Sequence, residues 1–513
     1  MNRTAPALPR STPSEQGVSV HAVEGFIAAW EEMALAGRSE PHSFMMLRHG
    51  TVVAEAWWHP YRADASQNLY SVSKTFATLA IGFAVAEGTV RIDDPVISFF
   101  PNLLPETVSP NLAAMRVQHL LTMTTGHPDN MTWPMMMRPD WTAAFLALPV
   151  PDAPGSRFVY NSAATYMLSA IIQSVSGSKL VDYLEPRLFT PLGARGQRWA
   201  ESPEGVNTGG WGLSAPTETL AKTGQLFLER GMVDGVQLLP AEWMDQASAF
   251  QVQQPADWDF AGMPAPDANL DHLRLTSDYY QGYGYQVWRG RNDSYRADGA
   301  LAQFMIVVPA LDAVIALTSE SPDWQGLLDL IWEKLLPAFD GDGNTRPGSV
   351  RTTREELPRP TGSTTSPLIA GVGGAEFTLE PNVLEAERLT VTFDGEEAHF
   401  RMVRSTGDTV LRGSAAQWLD GTTNMPGTPP DLFSDPTSAV ESPVSTAVAW
   451  PDDNTLVFRA RFYETPHADT LTCTFHGDTI EVRFLNSCVT ALGATDDAHP
   501  LAERRPLLRG VRR

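Results

Sequence analysis

"LYSVSKTFATLAIGFAVAEG", residues 69–88, sets a cluster of polar side chains at the head of an apolar run. From Thr75 onward the residues are good helix formers, and Gly88 stands where a C-terminal cap belongs. A helix that starts near Ser71 puts Ser71 and Lys74 on one face with their side chains in contact. Among Phe76, Leu79 and Phe83 the lysine is costly to bury charged, so burial lowers its pKa and makes it a candidate base. A neutral amine beside a hydroxyl at a helix N-terminus is the arrangement of an activated serine nucleophile. An N-cap serine with a snorkelling lysine shares the same four letters, so the tetrapeptide alone does not choose.

The chain of 513 residues is long enough for two or three domains, and 43% hydrophobic with 19% charged residues describes a globular protein. No run of 18 apolar residues exists, and the start, "MNRTAPALPRSTPSEQG", has no apolar core of a secretory signal. A soluble, cytoplasmic protein is therefore expected, with no membrane partner. A net charge of −23 argues against nucleic acid or anionic lipid as partner. Cys473 and Cys488 lie in strand-like segments and read as reduced core thiols, with a disulfide as the alternative. The 11 histidines form no HExxH or His/Cys cluster, so neither a metal nor another cofactor is expected.

Residues 43–58, "SFMMLRHGTVVAEAWW", read as two strands around a turn at His49-Gly50. Helical patterns follow, among them "ATYMLSAIIQSVSG" (164–177) and "TETLAKTGQLFLERG" (217–231). Aromatic, glycine-punctuated strands come next ("GYGYQVWRG", "AQFMIVVPA", "AVIALTSE"), and the helix pattern "WQGLLDLIWEKLLPAF" closes the region. Strands at both ends with helices between them predict one antiparallel sheet completed by remote segments, an α+β fold. The expected division is a tail over 1–14, this domain over 15–339 and a Gly/Pro/Ser/Thr-rich linker over 340–367. A C-terminal all-β domain over 368–513, barrel or sandwich, completes it, from alternation in segments such as "TLTCTFHGDTIEVRFL".

Tyr160 precedes a helix that Asn161 or Ser162 can cap. It reads either as a packed ring whose hydroxyl finds a backbone partner or as a phenol aimed at the cleft of Ser71. In the second reading the cationic lysine favours its phenolate, which then shuttles a proton.

Five ordered blocks resemble the serine β-lactamase and penicillin-binding-protein superfamily, in its class C and esterase branch. They are Ser71-x-x-Lys74, "HLLTMTTGH" (119–127), "PGSRFVYNSAATYMLSAIIQSVSG" (154–177), "PLGARG" (191–196) and "GWGLSAPTETLAKTGQLFLERGMVDGVQLLPAEW" (210–243). The resemblance covers about residues 15–338 and implies a β-lactamase-like antiparallel sheet flanked by helices, with a mostly helical subdomain. It implies Ser71 as acylated nucleophile, Lys74 as its base partner and Tyr160 as second base and acid.

Two departures bear on substrate. The family's second motif is commonly Tyr-x-Asn, whose Asn contacts substrate amide and lysine; here Ser162 stands at that place and Asn161 is displaced by one. Ser162 donates and accepts one hydrogen bond but reaches less far. The third motif, Lys-Thr-Gly in lactamases, has a false match at Lys222-Thr223-Gly224, inside a helix pattern and expected on its exposed side. The strand position that fits is "YRADGALAQFMIVVP" (295–309), where Ala297 occupies the slot of the cation and Gly299 permits close approach of a ligand. The N–H groups of Ser71 and Ala300 are then the oxyanion donors. Arg296 and Asp298, neighbours of Ala297, are expected at solvent or, for Asp298, at the substrate.

Trp57, Trp58, His127, Trp133 and Trp211 are candidate pocket aromatics, read equally as core or rim, and Met135–Met137 a candidate apolar lip. The substrate-binding set expected is Ser162, Asn161, Gly299, Asp298, Trp58 and His127. The expectation is a cofactor-free serine hydrolase of small ester or amide substrates. Its rivals are a D-amino-acid amidase or peptide-cyclising acyltransferase, a β-lactamase or DD-peptidase, and a non-catalytic binding protein.

Overall fold

The computed structural model describes residues 7–257, 269–340, 350–354, 356–432, 435, 437–494 and 502–513. The chain divides into two compact units. One comprises residues up to 56, 66–319 and 323–352; the other comprises 57–65, 320–322 and 353–513.

The first unit is built on a seven-stranded sheet. Its order is Val350–Arg354, Thr51–Trp58, Glu40–Arg48, Ala313–Glu320, Gln303–Val308, Tyr295–Gly299 and Trp288–Arg289. The helix Val20–Leu35, capped by the Ser19 hydroxyl on the Ala22 N–H, lays Phe26 against Phe44 of the sheet. The helix Thr217–Leu228 lies so close to the sheet that a Cβ on Gly224 would sit 2.4 Å from Val314 Cγ1. Glycine is needed there for helix-on-sheet contact, not for chemistry. Lys222 is only 8% exposed and pairs with Glu218, so the helix location of Lys222-Thr223-Gly224 is as expected but its exposure is not.

Register decides which side chains of the Tyr295–Gly299 strand meet the helices. Tyr295 touches Phe227, and a Cβ on Gly299 would lie 2.3 Å from the Leu69 carbonyl oxygen. Residues two apart share a face, so Ala297 points to the same side as both, towards the turn that carries Ser71. On the Tyr295–Gly299 strand, Trp288–Arg289 pairs with Arg296 and Tyr295, and Trp288 also bridges Tyr283. The outer edge of Ala297–Gly299 therefore extends past that pairing.

Two boundaries differ from expectation. Residues 9–11 bond to Val52 through Val52 N–H to Pro9 O and Ser11 N–H to Val52 O, so this part of the expected tail is packed on the sheet, while 1–6 lie outside the described residues. Of the expected linker, 341–349 and 355 lie outside the described residues, 350–354 form the outer strand of the sheet, and 356–367 belong to the second unit.

The second unit is a β-barrel. Nine strands close when Thr409–Ser414 meets Ser442–Asp452 at Ser414 and Ala447, and Leu419–Thr423 adds on as a tenth. Alternate residues fill the interior, among them Phe377, Phe400, Trp450, Phe458 and Phe475. Cys473 and Cys488 are buried free thiols, and burial pushes both well up from the ordinary thiol range. Among the described residues no helix is long and apolar enough to cross a membrane.

Candidate active site

Ser71 lies in a short 3-10 turn, Tyr70–Val72, directly before the helix Ser73–Ala86. The helix therefore starts two residues later than the motif suggests, but the contact it predicts is made. Lys74 Nζ lies 2.9 Å from Ser71 Oγ. The same nitrogen lies 2.9 Å from Ser162 Oγ and donates to the Gly210 carbonyl at 2.6 Å. Three contacts converge on a buried amine, while Ser71 and Ser162 are half-buried and open towards solvent.

Burial brings the Lys74 pKa down to about 7, with the charge of Asp298 pulling the other way. A free amine is thus present in quantity at neutral pH. Tyr160 lies beneath it, its ring 4.8 Å from Nζ. Burial pushes the Tyr160 hydroxyl up, and a hydrogen bond with Ser71 offsets part of that. The expected phenolate is corrected: the low dielectric that neutralises the lysine also keeps the tyrosine a phenol.

Asn161 is the N-cap of the helix Ser162–Ser176, its side-chain oxygen accepting the Ala163 and Met131 N–H groups. Fully buried in that role, it is not placed to bind a substrate. Ser162 is one residue further on and turns its hydroxyl to the lysine, so it reaches as far as that contact requires. His127 is also buried, against the edge of Phe145 and beside Thr125 Oγ1 at 2.9 Å, and burial lowers its pKa to about 4. Its neutral ring belongs to the core. Trp58 ends its strand buried and falls in the second unit, and Trp211 is stacked on Trp141. Trp133 and Met137, by contrast, are 46% and 78% exposed.

Arg296 and Asp298 do not face solvent. They are 1% and 7% exposed and pair at 2.8 Å. The guanidinium lies over Tyr279 at 4.5 Å, and Trp288 next to it packs on Tyr160 at 5.4 Å between ring centroids. A cation is therefore near the site, but it is neutralised and sealed.

Sequence reasoning missed Gly210. A Cβ on Gly209 would lie 2.8 Å from the Thr165 carbonyl oxygen, and one on Gly210 would lie 2.9 Å from that of Ser162. The Gly209-Gly210 pair was a legible sign of close backbone approach.

Ser71 and Lys74 of the first sequence block are thus in contact, and Tyr160 of the third lies against the same amine. The family model for β-lactamases matches residues 34–336. The chain belongs to the β-lactamase family. Within this family of serine hydrolases, it is 25% identical over 322 residues to a 6-aminohexanoate-dimer hydrolase of Paenarthrobacter ureafaciens, covering 58% of this chain and 78% of that protein. Esterase EstB of Burkholderia gladioli is 26% identical over 153 residues, covering 26% of this chain and 39% of the esterase. The solved structure of a β-lactamase-like protein from Bacteroides dorei DSM 17855 is 16% identical and superimposes with a TM-score of 0.51. It covers 62% of this chain and 99% of that one, a likeness of fold.

Proposed function

We propose that this β-lactamase-family protein hydrolyses esters or amides of neutral small molecules through an acyl-enzyme on Ser71. The observation that carries the reading is the Lys74 amine, 2.9 Å from Ser71 Oγ with its pKa near 7. The free amine takes the Ser71 proton as Oγ attacks the carbonyl, and the N–H groups of Ser71 and Ala300 receive the oxyanion. The Tyr160 phenol, hydrogen-bonded to Ser71 and close to Lys74, passes a proton to the leaving group. Water then attacks the acyl-enzyme and the same groups work in reverse. Ser162 borders the substrate, and the backbone of the strand that ends at Gly299 runs alongside it.

The preference for neutral substrates rests on Ala297. It faces the nucleophile's turn without a charge, and Arg296, the nearest cation on the strand, is paired with Asp298. The test is a fluorophosphonate probe with intact-mass analysis, then a panel of esters, amides and β-lactams. One label per chain on Ser71, absent in Ser71→Ala, and faster turnover of simple esters than of β-lactams are expected. Label retained in Ser71→Ala refutes the nucleophile, and a preference for β-lactams refutes the substrate class.

A further inference from the structure

Gln286 is a buried residue in the left-handed region, with φ of 58°, a conformation that costs energy in any residue but glycine. Both its amide groups and its backbone are engaged. Oε1 accepts the Thr165 hydroxyl at 2.6 Å, and Nε2 donates to the Leu120 and Leu121 carbonyls, each at 2.9 Å. Its backbone N–H donates to the Leu121 carbonyl at 3.1 Å, and its own carbonyl accepts the Thr75 hydroxyl at 2.9 Å. Next to it, the Tyr285 carbonyl accepts the Thr78 hydroxyl at 2.9 Å.

These partners are not scattered. Thr75 follows Lys74 directly, and Thr78 lies one turn further along the same helix. Thr165 lies one turn after Ser162 on the second helix. The Gly210 segment rests on that same turn, where a Cβ would meet Ser162 O at 2.9 Å and Thr165 Cβ at 3.4 Å. Gln286 thus joins the two helices: its backbone carbonyl holds the helix that carries Lys74, and its side chain holds the helix that carries Ser162 and supports Gly210. A glutamate has no donor for the two carbonyls, and an aliphatic residue leaves the Thr165 hydroxyl and both carbonyls without this partner.

We propose that Gln286 is a positioning residue of the acyl-transfer site, setting the separation of the two helices so that Ser71, Ser162 and the Gly210 carbonyl meet at the Lys74 amine. The inference rests on the Ser71–Lys74 reading above. Near-attack geometry is unforgiving: a shift of about 1 Å in a supporting element costs roughly 100-fold in rate.

The experiment compares wild type, Gln286→Met and Thr165→Val. Fluorophosphonate labelling counts competent sites, and kcat and KM for a phenyl ester are then expressed per labelled site, with Tm measured alongside. Gln286→Met is expected to lower kcat per labelled site by about tenfold or more with KM changed little, because proton transfer is misaligned while the cleft remains. Thr165→Val, which removes one bond and keeps the shape, should lower it in the same direction, and the double variant should fall short of the product of the two effects. A fall in Tm and in labelled fraction with kcat per labelled site unchanged overturns the proposal, since a fold brace acts that way. If Gln286→Met does not fold, Thr165→Val and Thr75→Val decide on the same readout. A wild type that neither labels at Ser71 nor turns over an ester defeats the serine hydrolase reading itself, and this inference falls with it.

Discussion

Lys74 couples catalysis to stability, and pH separates the two. Its pKa is about 7 in the folded protein against an ordinary 10.5. Between those values the unfolded chain holds a proton on this amine that the folded chain does not. The unfolded state binds more protons, so stability rises with pH across the window, by about 1.4 kcal/mol per unit at the steepest. From pH 7 to pH 9 the integrated gain is about 2 kcal/mol. Lys74→Met abolishes this contribution while leaving every other titrating group in place. The assay is urea unfolding of both proteins at pH 7 and pH 9: the stability of wild type relative to Lys74→Met should improve by about 2 kcal/mol at the higher pH. In wild type, kcat/KM for a neutral ester should be half-maximal near pH 7 and about tenfold below its plateau at pH 6, as the free-amine fraction falls. Lys74→Met should lose at least about 100-fold in kcat/KM. Parallel stability at the two pH values, with no acidic limb near pH 7, would refute a neutral buried amine as the base.

Asp298→Asn removes the charge that holds the Lys74 pKa up, so the acidic limb should move to lower pH, with a loss of stability from the unpaired Arg296. Ser162→Ala deletes one of three contacts to Nζ and should lower kcat about tenfold with the fold retained by circular dichroism. Ala297→Lys should shift kcat/KM towards carboxylate-bearing substrates, by about tenfold or more if the new ammonium reaches the carboxylate. Lys222→Ala should cost about 1 kcal/mol through its partly buried pair with Glu218, measured by unfolding, with activity unchanged. Lost activity there would reassign Lys222-Thr223-Gly224 to the site.

Local chemistry made much of this protein legible. Good helix formers after Thr75, a glycine stop at 88 and the Ser71-x-x-Lys74 spacing act within one or two helical turns, so composition and periodicity suffice to read them. Alternation within the barrel strands is equally local, because successive side chains of a strand point to opposite faces and one face of the barrel wall is the core. What the sequence left open depended on partners far along the chain. Arg296 and Asp298 look like solvent-facing charges until Tyr279 and Trp288 close over them, and Lys222 looks exposed until Gly224 lets its helix settle on the sheet. Asn161 rather than Ser162 takes the cap because the loop at Met131 supplies a second donor to its side chain. The phenol form of Tyr160 was likewise beyond local reading, whereas the free amine of Lys74 was expected from Phe76, Leu79 and Phe83 near it in sequence. Both follow from desolvation, a property of everything packed around a group and not of its neighbours in sequence alone. Only the tertiary structure brought the Gly210 carbonyl to Lys74 and the Gln286 amide to Thr165, since hydrogen bonds across 136 and 121 positions of sequence are set by long-range packing.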